Sequence, residues 1–416
     1  MPRGQTSVRL QKTLLNLFLF ILPVQLGYHW WPDWSLVSGI RVDYLSPTLY
    51  LTDIVLCLLL VLDWKHVTKL ITRNVLILLV MTVFAAINIW FSKAPEVSVY
   101  SWVRFFEYAL FVQYVIRNAS LVKESIRLTF PFMLSWVSLL AIAQWINRGS
   151  LNGLLYWVGE RSFSVETPGI ALTKFGSNVS LRPYATLPHP NALAGFLLIA
   201  WISLKACSPM KIVFWINTVL VAITLILTES VPVYIVIAAL FTISIGKRLG
   251  LTVTIHAKRS LLLSVVFLSL LSPLLFLMLP SDLTSRIGKS SLERIELSIL
   301  SGDMILKSPF VGIGLGGYIS QIPSYQNDLP AVYRGRAVSL YQPVHNVPLL
   351  IFSEVGAIGL FFSLVSIPFI LLSPIGLGVF IISLFDHYWA TLHQPILLLC
   401  LCVGIALSEK RQPITS

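Results

Sequence analysis

The residue in this sequence best suited to moving a proton near neutral pH is His345. It stands in the segment 341–346, where a long polar stretch meets an apolar run. An imidazole has an ordinary pKa of about 6.5, so it can accept a proton from a hydroxyl group at physiological pH. A single histidine at such a boundary is more often a polar anchor, and the sequence leaves that alternative open. We treat His345 as a candidate general base, with Asn346 beside it in a supporting role.

A second polar segment carries two further candidates, Arg182 and His189. It contains three prolines within the eight residues 183–190. Proline fixes φ and prevents a regular helix, so the approach to the next apolar run should be stiff. Asn191 is a favourable N-cap for that run. A rigidly held cation suits an anionic headgroup, whereas the alternative is a stiff turn without a binding role.

The long segment before His345 is predicted to contain an amphipathic helix that carries Arg294. Ser290 and Glu293 have the spacing of a capping box. The predicted apolar stripe consists of Leu292, Ile295, Ile299 and Leu306. No acidic residue lies three or four positions from Arg294, so its guanidinium is available to an outside anion, although a solvated surface arginine is the commoner explanation. The glycine-rich segment 312–317 lacks the Lys-Ser/Thr pair of a phosphate-binding loop, and we interpret it as a flexible turn.

Charged residues also occur inside apolar runs. Arg104 and Glu107 are three positions apart in one run, and Glu354 lies beside glycines in another. A charge at the centre of a membrane helix costs roughly 3 kcal/mol, so Arg104 must face protein or water. It either forms an ion pair that joins two helices or lines a cavity that receives a phosphate, and the sequence leaves both interpretations open.

Asp386 and His387 form a third polar group in a short turn between two apolar runs. They could pair with groups from the longer polar segments. No outer acidic residues show the spacing of a metal site, and the sequence contains no Asp-x-Asp pair. The sequence therefore predicts neither a metal site nor another cofactor.

The elements that position these residues are apolar helices, because the composition is that of a polytopic membrane protein. Of the 416 residues 56% are hydrophobic and 12% are charged, and the mean hydropathy is +0.81. These values exclude a disordered chain, a soluble enzyme and a secreted disulfide scaffold. We predict an all-α fold of about twelve spans. The predicted runs are 13–28, 46–62, 74–91, 98–116, 128–146, 191–206, 210–228, 231–246, 261–280, 345–366, 368–384 and 389–407.

The distribution of Lys and Arg predicts that both termini lie inside the cell. With this orientation 17 of the 30 basic residues fall on inner segments, as the positive-inside rule requires. The net charge of +12 then reflects membrane topology rather than binding to nucleic acid. A single membrane domain, 1–416, would carry two large outer loops, 148–190 and 281–344. The second should contain helix, because structureless loops of that length are uncommon.

Several short motifs occur in a characteristic order. They are Arg182-Pro183-Tyr184-Ala185-Thr186, His189-Pro190-Asn191-Ala192, Arg294 before Lys307-Ser308-Pro309-Phe310, His345-Asn346, Glu354-Val355-Gly356 and Asp386-His387-Tyr388. With these motifs the chain after residue 98 resembles the O-antigen ligase and O-antigen polymerase family of bacterial membrane glycosyltransferases. Pro188 departs from the family pattern, where a bulkier or polar residue is common, and residues 1–97 carry no signature.

The resemblance implies a fold of the C-type glycosyltransferase kind in the inner (plasma) membrane, with its active site on the outer face. A glycan would pass from an undecaprenyl-diphosphate carrier to a glycan or lipid acceptor, in an inverting reaction without metal or other cofactor. His345 would be the base, and Arg182 and Arg294, with Arg104 as a third member, would hold the diphosphate. The supporting residues would be His189, Asn191, Asn346, Glu354, Asp386 and His387.

The partners implied are the lipid-linked donor, the acceptor and membrane lipids, and no nucleic acid. The alternative is a transporter or flippase of lipid-linked oligosaccharide. That class predicts inverted repeats and broken helices in both halves, and no such symmetry is visible in the sequence. Ligase and polymerase activity differ in the acceptor, for which no motif is legible.

Overall fold

The computed structural model describes residues 3–66, 68, 75–175, 178–250, 255–277, 289–326, 341–366 and 373–411. Helices dominate this part of the chain. They are α1 (Arg3–Phe20), α2 (Leu51–Leu62), α3 (Val75–Trp90), α4 (Pro95–Arg117), α5 (Ala119–Asn147), α6 (Pro190–Ala206), α7 (Lys211–Thr228), α8 (Val231–Arg248), α9 (Ile255–Leu277), α10 (Lys289–Lys307), α11 (Tyr318–Gln326), α12 (Val347–Ser366), α13 (Pro374–Ser383), α14 (Tyr388–Thr391) and α15 (His393–Arg411).

Strands are short and are confined to two segments between helices. They form three antiparallel pairs, β1 (Gly27–His29) with β4 (Thr48–Tyr50), β2 (Leu36–Val37) with β3 (Ile40–Arg41), and β5 (Leu172–Phe175) with β6 (Asn178–Leu181). The prediction of an all-α architecture is confirmed, since these pairs only brace loops. The first predicted run, 13–28, extended too far, because α1 ends at Phe20 and β1 begins at Gly27.

Every predicted apolar run overlaps a helix, the last one overlapping both α14 and α15, and three helices are long and apolar enough to cross a membrane. These three are α5, α7 and α8, and seven further helices contain shorter apolar stretches of 10–17 residues. On α7 and α8 large apolar side chains face outward, as Trp215 and Ile226 do at 62% and 64% exposure. An apolar surface of this extent is unfavourable in water. The lengths and exposed faces together indicate a membrane protein.

Helix α6 occupies the centre of the molecule. Fourteen of its residues are buried, and they lie on every face of the helix. A helix that is hydrophobic all round is expected to be surrounded by other helices, and α6 packs against α5, α7, α8, α13 and α15. Its N-terminus, at Pro190 and Asn191, is therefore held firmly by the surrounding helices.

Polar contacts collect at two opposite ends of the helices. At one end Lys12 pairs with Glu124 at 2.7 Å and Arg117 with Asp63 at 3.7 Å, which joins α1 to α5 and α4 to the end of α2. At the other end lie the starts of α6, α12 and α15 and the long connections between helices. The candidate site residues belong to this second end, which we call the site end.

The long segment 281–344 contains the helices α10 and α11, so the prediction of helix within it is confirmed. Ile295 and Ile299 of the predicted stripe are buried, but Leu306 is 75% exposed and was wrongly placed on that stripe. The Ser290 side chain, and the residues 281–288 and 327–340, lie outside the described residues.

Helix α12 is interrupted at Gly356, and the glycine-rich segment fills the break. Gly356 has φ 66° and ψ −170°, a conformation open almost only to glycine. Backbone N–H groups of Ile313 and Gly314 donate to the carbonyls of Ser353 and Glu354 at 2.9 and 3.0 Å, and Ala357 N–H donates to Pro309 O at 2.8 Å. The segment 312–317 is a turn, as interpreted, but these bonds hold it in place, so it is not a flexible one.

Candidate functional site

At the site end, seven of the sequence-predicted residues come together from four separate parts of the chain. They form what we call the polar cluster, namely Arg182, His189, Asn191, Arg294, His345, Asp386 and His387. The centre of the cluster is formed by His345, Asp386 and His387. One ring nitrogen of each histidine and one carboxylate oxygen of Asp386 lie within 4.8 Å of one another. The two imidazole rings meet edge to face with their centroids 5.0 Å apart.

Asp386 is held by two donors. Asn191 Nδ2 donates to its Oδ2 at 3.2 Å, and the backbone N–H of His387 donates to its Oδ1 at 2.8 Å. The residue is buried, and a buried carboxylate requires such partners. Because Asn191 stands at the start of the central helix α6, the position of Asp386 is tied to the most firmly packed element of the fold.

Arg182 is more constrained than the sequence suggested. Its Nε donates to the Thr228 carbonyl at 2.7 Å, and its Nη2 donates to Asn191 Oδ1 at 2.8 Å. The expectation that the whole guanidinium is free for an anion is therefore wrong. Among the guanidinium nitrogens of Arg182, Nη1 is the one without a hydrogen-bond partner in the described part of the chain, and the bond from Nη2 to Asn191 fixes the arginine beside the cluster.

Arg294, on α10, has no ion-pair partner among the residues the structure describes, in agreement with the sequence argument. Its positive charge acts on the cluster. Burial is the main cause that lowers the pKa of His189 and of His387, each to about 4, and the charge of Arg294 lowers both further. The histidines are therefore neutral at physiological pH, and the surplus positive charge lies on the two arginines.

His189, rather than Asn191, is the N-cap of α6. Its Nδ1 accepts a hydrogen bond from the backbone N–H of Asn191 at 3.1 Å. This corrects the expected cap and has a physical reason. The Asn191 side chain is already bound to Arg182 and Asp386, so it cannot also fold back onto the helix terminus.

His345 lies in the turn before α12 and is half-buried. Its Nδ1 is buried and has no hydrogen-bond partner among the described residues. Burial lowers the pKa of His345 below its usual value, while the nearby Asp386 carboxylate acts in the opposite direction. A neutral imidazole with an unengaged nitrogen is the form that can accept a proton.

Asn346 positions His345. Its side chain bonds Ser269 on α9, at 2.7 Å from Nδ2 to Oγ, and its Oδ1 accepts from Leu349 N–H at 3.0 Å. The second bond caps the start of α12. The peptide that carries His345 is thereby attached to two helices, which fits the supporting role predicted for Asn346.

Besides Asn346, two predicted residues, Arg104 and Glu354, lie outside the polar cluster. Arg104 pairs with Asp53 at 2.9 Å and with Glu107 at 2.7 Å, and it also donates to the Thr48 carbonyl. It joins α4 to α2, as the ion-pair interpretation predicted, and the structure does not bring it to the other arginines. Glu354 accepts from the backbone N–H of Tyr318 at 3.3 Å, so it supports the loop beside the break in α12.

The central three residues have the composition of a metal site, which the sequence did not predict. His345 and His387 lie 42 positions apart, so no local spacing could reveal the group. Two imidazoles and a carboxylate are suitable ligands for zinc and similar metals. The positive charge of Arg294, which acts on both histidines, opposes a divalent cation and favours an anion at the same place.

Sequence reasoning missed Gly195 and its partner Tyr388. A Cβ on Gly195 would lie 1.9 Å from the Tyr388 hydroxyl. The missing side chain thus lets α14 pack closely on α6, and α14 directly follows Asp386 and His387. The small residues Ala192, Ala194 and Gly195 are a signal for such close approach.

Comparison with known proteins leaves the chain without an assigned family. No family model matches it, and no curated protein sequence does so either.

Proposed function

We propose that the protein is a membrane glycosyltransferase that moves a glycan from an undecaprenyl-diphosphate carrier to an acceptor hydroxyl at the outer face of the membrane. The proposal includes twelve membrane spans in a C-type glycosyltransferase arrangement. The observation that carries it is the polar cluster, in which a neutral histidine, a buried carboxylate and two arginines meet at one end of the helices.

In the proposed reaction the acceptor oxygen attacks the anomeric carbon of the donor sugar. The bond from that carbon to the phosphate oxygen breaks, and its electron pair leaves with the diphosphate. His345 takes the hydroxyl proton, and the Asp386 carboxylate, within 4.8 Å, stabilises the resulting imidazolium. Arg182 and Arg294 stabilise the negative charge that grows on the leaving group. Arg294 can bond two phosphate oxygens at once through its guanidinium, whereas Arg182 contributes its charge and its Nη1, because its Nε and Nη2 are already bonded.

Each supporting residue has a separate task in this proposal. Asn191 connects Arg182 to Asp386, so the anion-binding side and the base side of the cluster keep a constant separation. His387 fixes the Asp386 carboxylate through its backbone N–H. Asn346 holds the turn that carries His345.

A transporter or flippase of lipid-linked oligosaccharide remains the second candidate. One observation favours it, namely the buried ion pairs of Arg104 with Asp53 and Glu107, because ionisable groups at membrane depth often mark transport pathways. The interrupted helix α12 is another feature of transporters, but here residues 309–314 of the same chain fill the break.

The decisive experiment is transfer by the purified protein in detergent, with a lipid-linked donor, an acceptor, EDTA and no ion gradient. A glycosyltransferase forms product under these conditions, and a transporter does not. His345→Ala should lower the rate by about 10²–10⁴, the usual contribution of a general base. His66→Ala at the opposite end is the matched control and should retain activity. An active His345→Ala protein would make His345 an interfacial anchor.

Arg182 and Arg294 together form what we call the diphosphate clamp, and its role is tested in the same assay. Arg182→Lys and Arg294→Lys keep the charge but lose the planar fork, and each should lower the rate by about 10²–10³. Arg117→Lys, at the opposite end, is the control for any general effect of replacing an arginine by lysine, and it should retain activity. Full activity of both lysine variants, or a strict need for a divalent metal, would exclude the clamp.

A further inference from the structure

Next to the polar cluster lies a cavity of about 430 Å³ with a different chemistry. Its walls are rich in aromatic rings, namely Tyr44, Tyr50, Tyr100, Phe105, Tyr108 and Trp389. We call it the tyrosine cavity. Its volume falls within the range of about 300–1,000 Å³ that is usual for small-molecule sites.

The arginines that line this cavity already have acidic partners, and Glu354, which also lines it, accepts a hydrogen bond from the backbone N–H of Tyr318 at 3.3 Å. Arg161 pairs with Asp43 at 3.2 Å. Arg104 is neutralised by Asp53 and Glu107. A diphosphate would therefore gain little here, in contrast to the polar cluster with its surplus positive charge.

Hydroxyl groups and ring faces are the other recognition elements. Several hydroxyls already bond within the protein, as the Tyr108 hydroxyl does with His393 Nδ1 at 2.9 Å, but a hydroxyl oxygen has two lone pairs and can still accept a hydrogen bond from a ligand. Ser46, Thr48, Ser101 and Thr391 line the cavity together with the tyrosines. Sugar rings have polar edges that form hydrogen bonds and apolar C–H faces that pack on aromatic side chains, which have the same amphipathic character. The lining therefore matches an uncharged, hydroxyl-rich ligand.

The cavity adjoins the proposed base. The Tyr44 ring lies edge to face with the His387 ring at 5.6 Å, and Thr391 Oγ1 is 2.8 Å from His387 Nδ1. Pro343, two positions before His345, also lines it. We infer that the tyrosine cavity binds an uncharged glycan segment and presents it to the polar cluster. This inference rests on the proposed function for its role in transfer, but the binding itself does not depend on transfer.

Binding is tested by saturation-transfer NMR on the protein in nanodiscs, since maltoside detergents would compete for a sugar site. The probes are the neutral trisaccharides maltotriose, cellotriose and mannotriose, with a trimer of glucuronic acid as the charged comparison. Irradiation of aromatic protons should transfer saturation to at least one neutral probe and not to the charged one. Absence of transfer to all three neutral probes, or stronger transfer to the charged one, overturns the inference.

Variants locate the site. Tyr44→Ser removes one aromatic wall and should weaken binding of the responding trisaccharide by about tenfold or more, a change of about 1.4 kcal/mol. Tyr28→Ser, on an exposed tyrosine that does not line the cavity, is its control. Ser101→Phe should fill the cavity, and Val103→Phe, on the exposed face of the same helix, is the control for it. Equal weakening in a variant and its control would refute the location.

The transfer assay then distinguishes the two possible sources of the glycan. A rise in KM for the acceptor alone in Tyr44→Ser identifies the acceptor, and a rise for the donor alone identifies the donor glycan. If trisaccharide binding is found but the wild type forms no product, the proposed function fails while the cavity keeps its ligand. If product forms but neither KM changes in Tyr44→Ser and Ser101→Phe, the cavity inference fails by itself.

Discussion

At the scale of single residues, the environment of His345 predicts an unusual pH profile. Burial lowers its pKa, and the positive charge of Arg294 adds to this effect. A general base must be neutral, and protonation of an ordinary histidine would stop it below about pH 6.5. Since the pKa of His345 is lowered, the neutral form persists into more acidic solution. We expect kcat/KM to stay constant as the pH falls from 8 to about 5.5.

The charge of Arg294 provides a control for this pH profile. Arg294→Gln removes a charge that lowers the pKa of His345, so the acid limb of the profile should move to higher pH, whatever the loss in absolute rate. A wild-type profile that falls with a midpoint near 6.5 would contradict the buried, neutral histidine.

The candidate residues could be chosen from the sequence because their chemical types are distinctive, but their partners could not. Asn191 was selected as a helix cap, and it instead links Arg182 to Asp386, a residue 195 positions away. The sequence distinguishes Arg104, which has Glu107 three positions away, from Arg294, which has no acidic neighbour on its helix. It does not reveal Asp53, which reaches Arg104 from α2, nor that no acid in the described part of the chain pairs with Arg294.

At the scale of elements, the break in α12 depends on Gly356. A Cβ at this position would lie 2.3 Å from the backbone of Phe310, and the φ of 66° is itself unfavourable for other residues. Strain of this type costs about 1–3 kcal/mol, and the clash with the backbone adds to it. Gly356→Ala should therefore lower the Tm of the purified protein by roughly 5 °C or more.

Gly169→Ala separates the two causes of this loss. Gly169 also has a positive φ, of 82°, but its Cβ would meet nothing within 4 Å. It should reproduce the backbone strain without the clash, and its Tm should fall less. Equal Tm values for the two variants would show that residues 309–314 do not pack against the break as described.

The positions of the helices could be predicted well from the sequence, whereas the interruption of a helix could not. The apolar runs located α6 and α7 to within one residue at each end, because burial or lipid contact demands apolar side chains along a whole helix. The break at Gly356 has no comparable pattern. It depends on the segment 309–314, which approaches α12 only in the folded chain.

At the scale of the whole molecule, the role of residues 1–97 could not be predicted from the sequence. They carried no motif, yet Tyr44 and Tyr50 line the tyrosine cavity, and Asp53 neutralises Arg104. Their role comes from position rather than from a distinctive residue type. The connection between α1 and α2 lies at the site end, so its ordinary tyrosines become neighbours of the polar cluster.

The topology of the chain gives the final prediction, since the proposed reaction requires the site end to lie outside the cell. Glu166 is exposed in the segment 148–190, on the side predicted to be outer, and Lys211 is exposed at the start of α7, on the side predicted to be cytoplasmic. In a background with Cys57 and Cys207 replaced by alanine, Glu166→Cys should react with an impermeant maleimide in intact spheroplasts. Lys211→Cys should react only after lysis, because 17 of the 30 basic residues hold its side inside. Labelling of Lys211→Cys alone in intact spheroplasts would place the polar cluster in the cytoplasm, where the proposed transfer at the outer face could not occur.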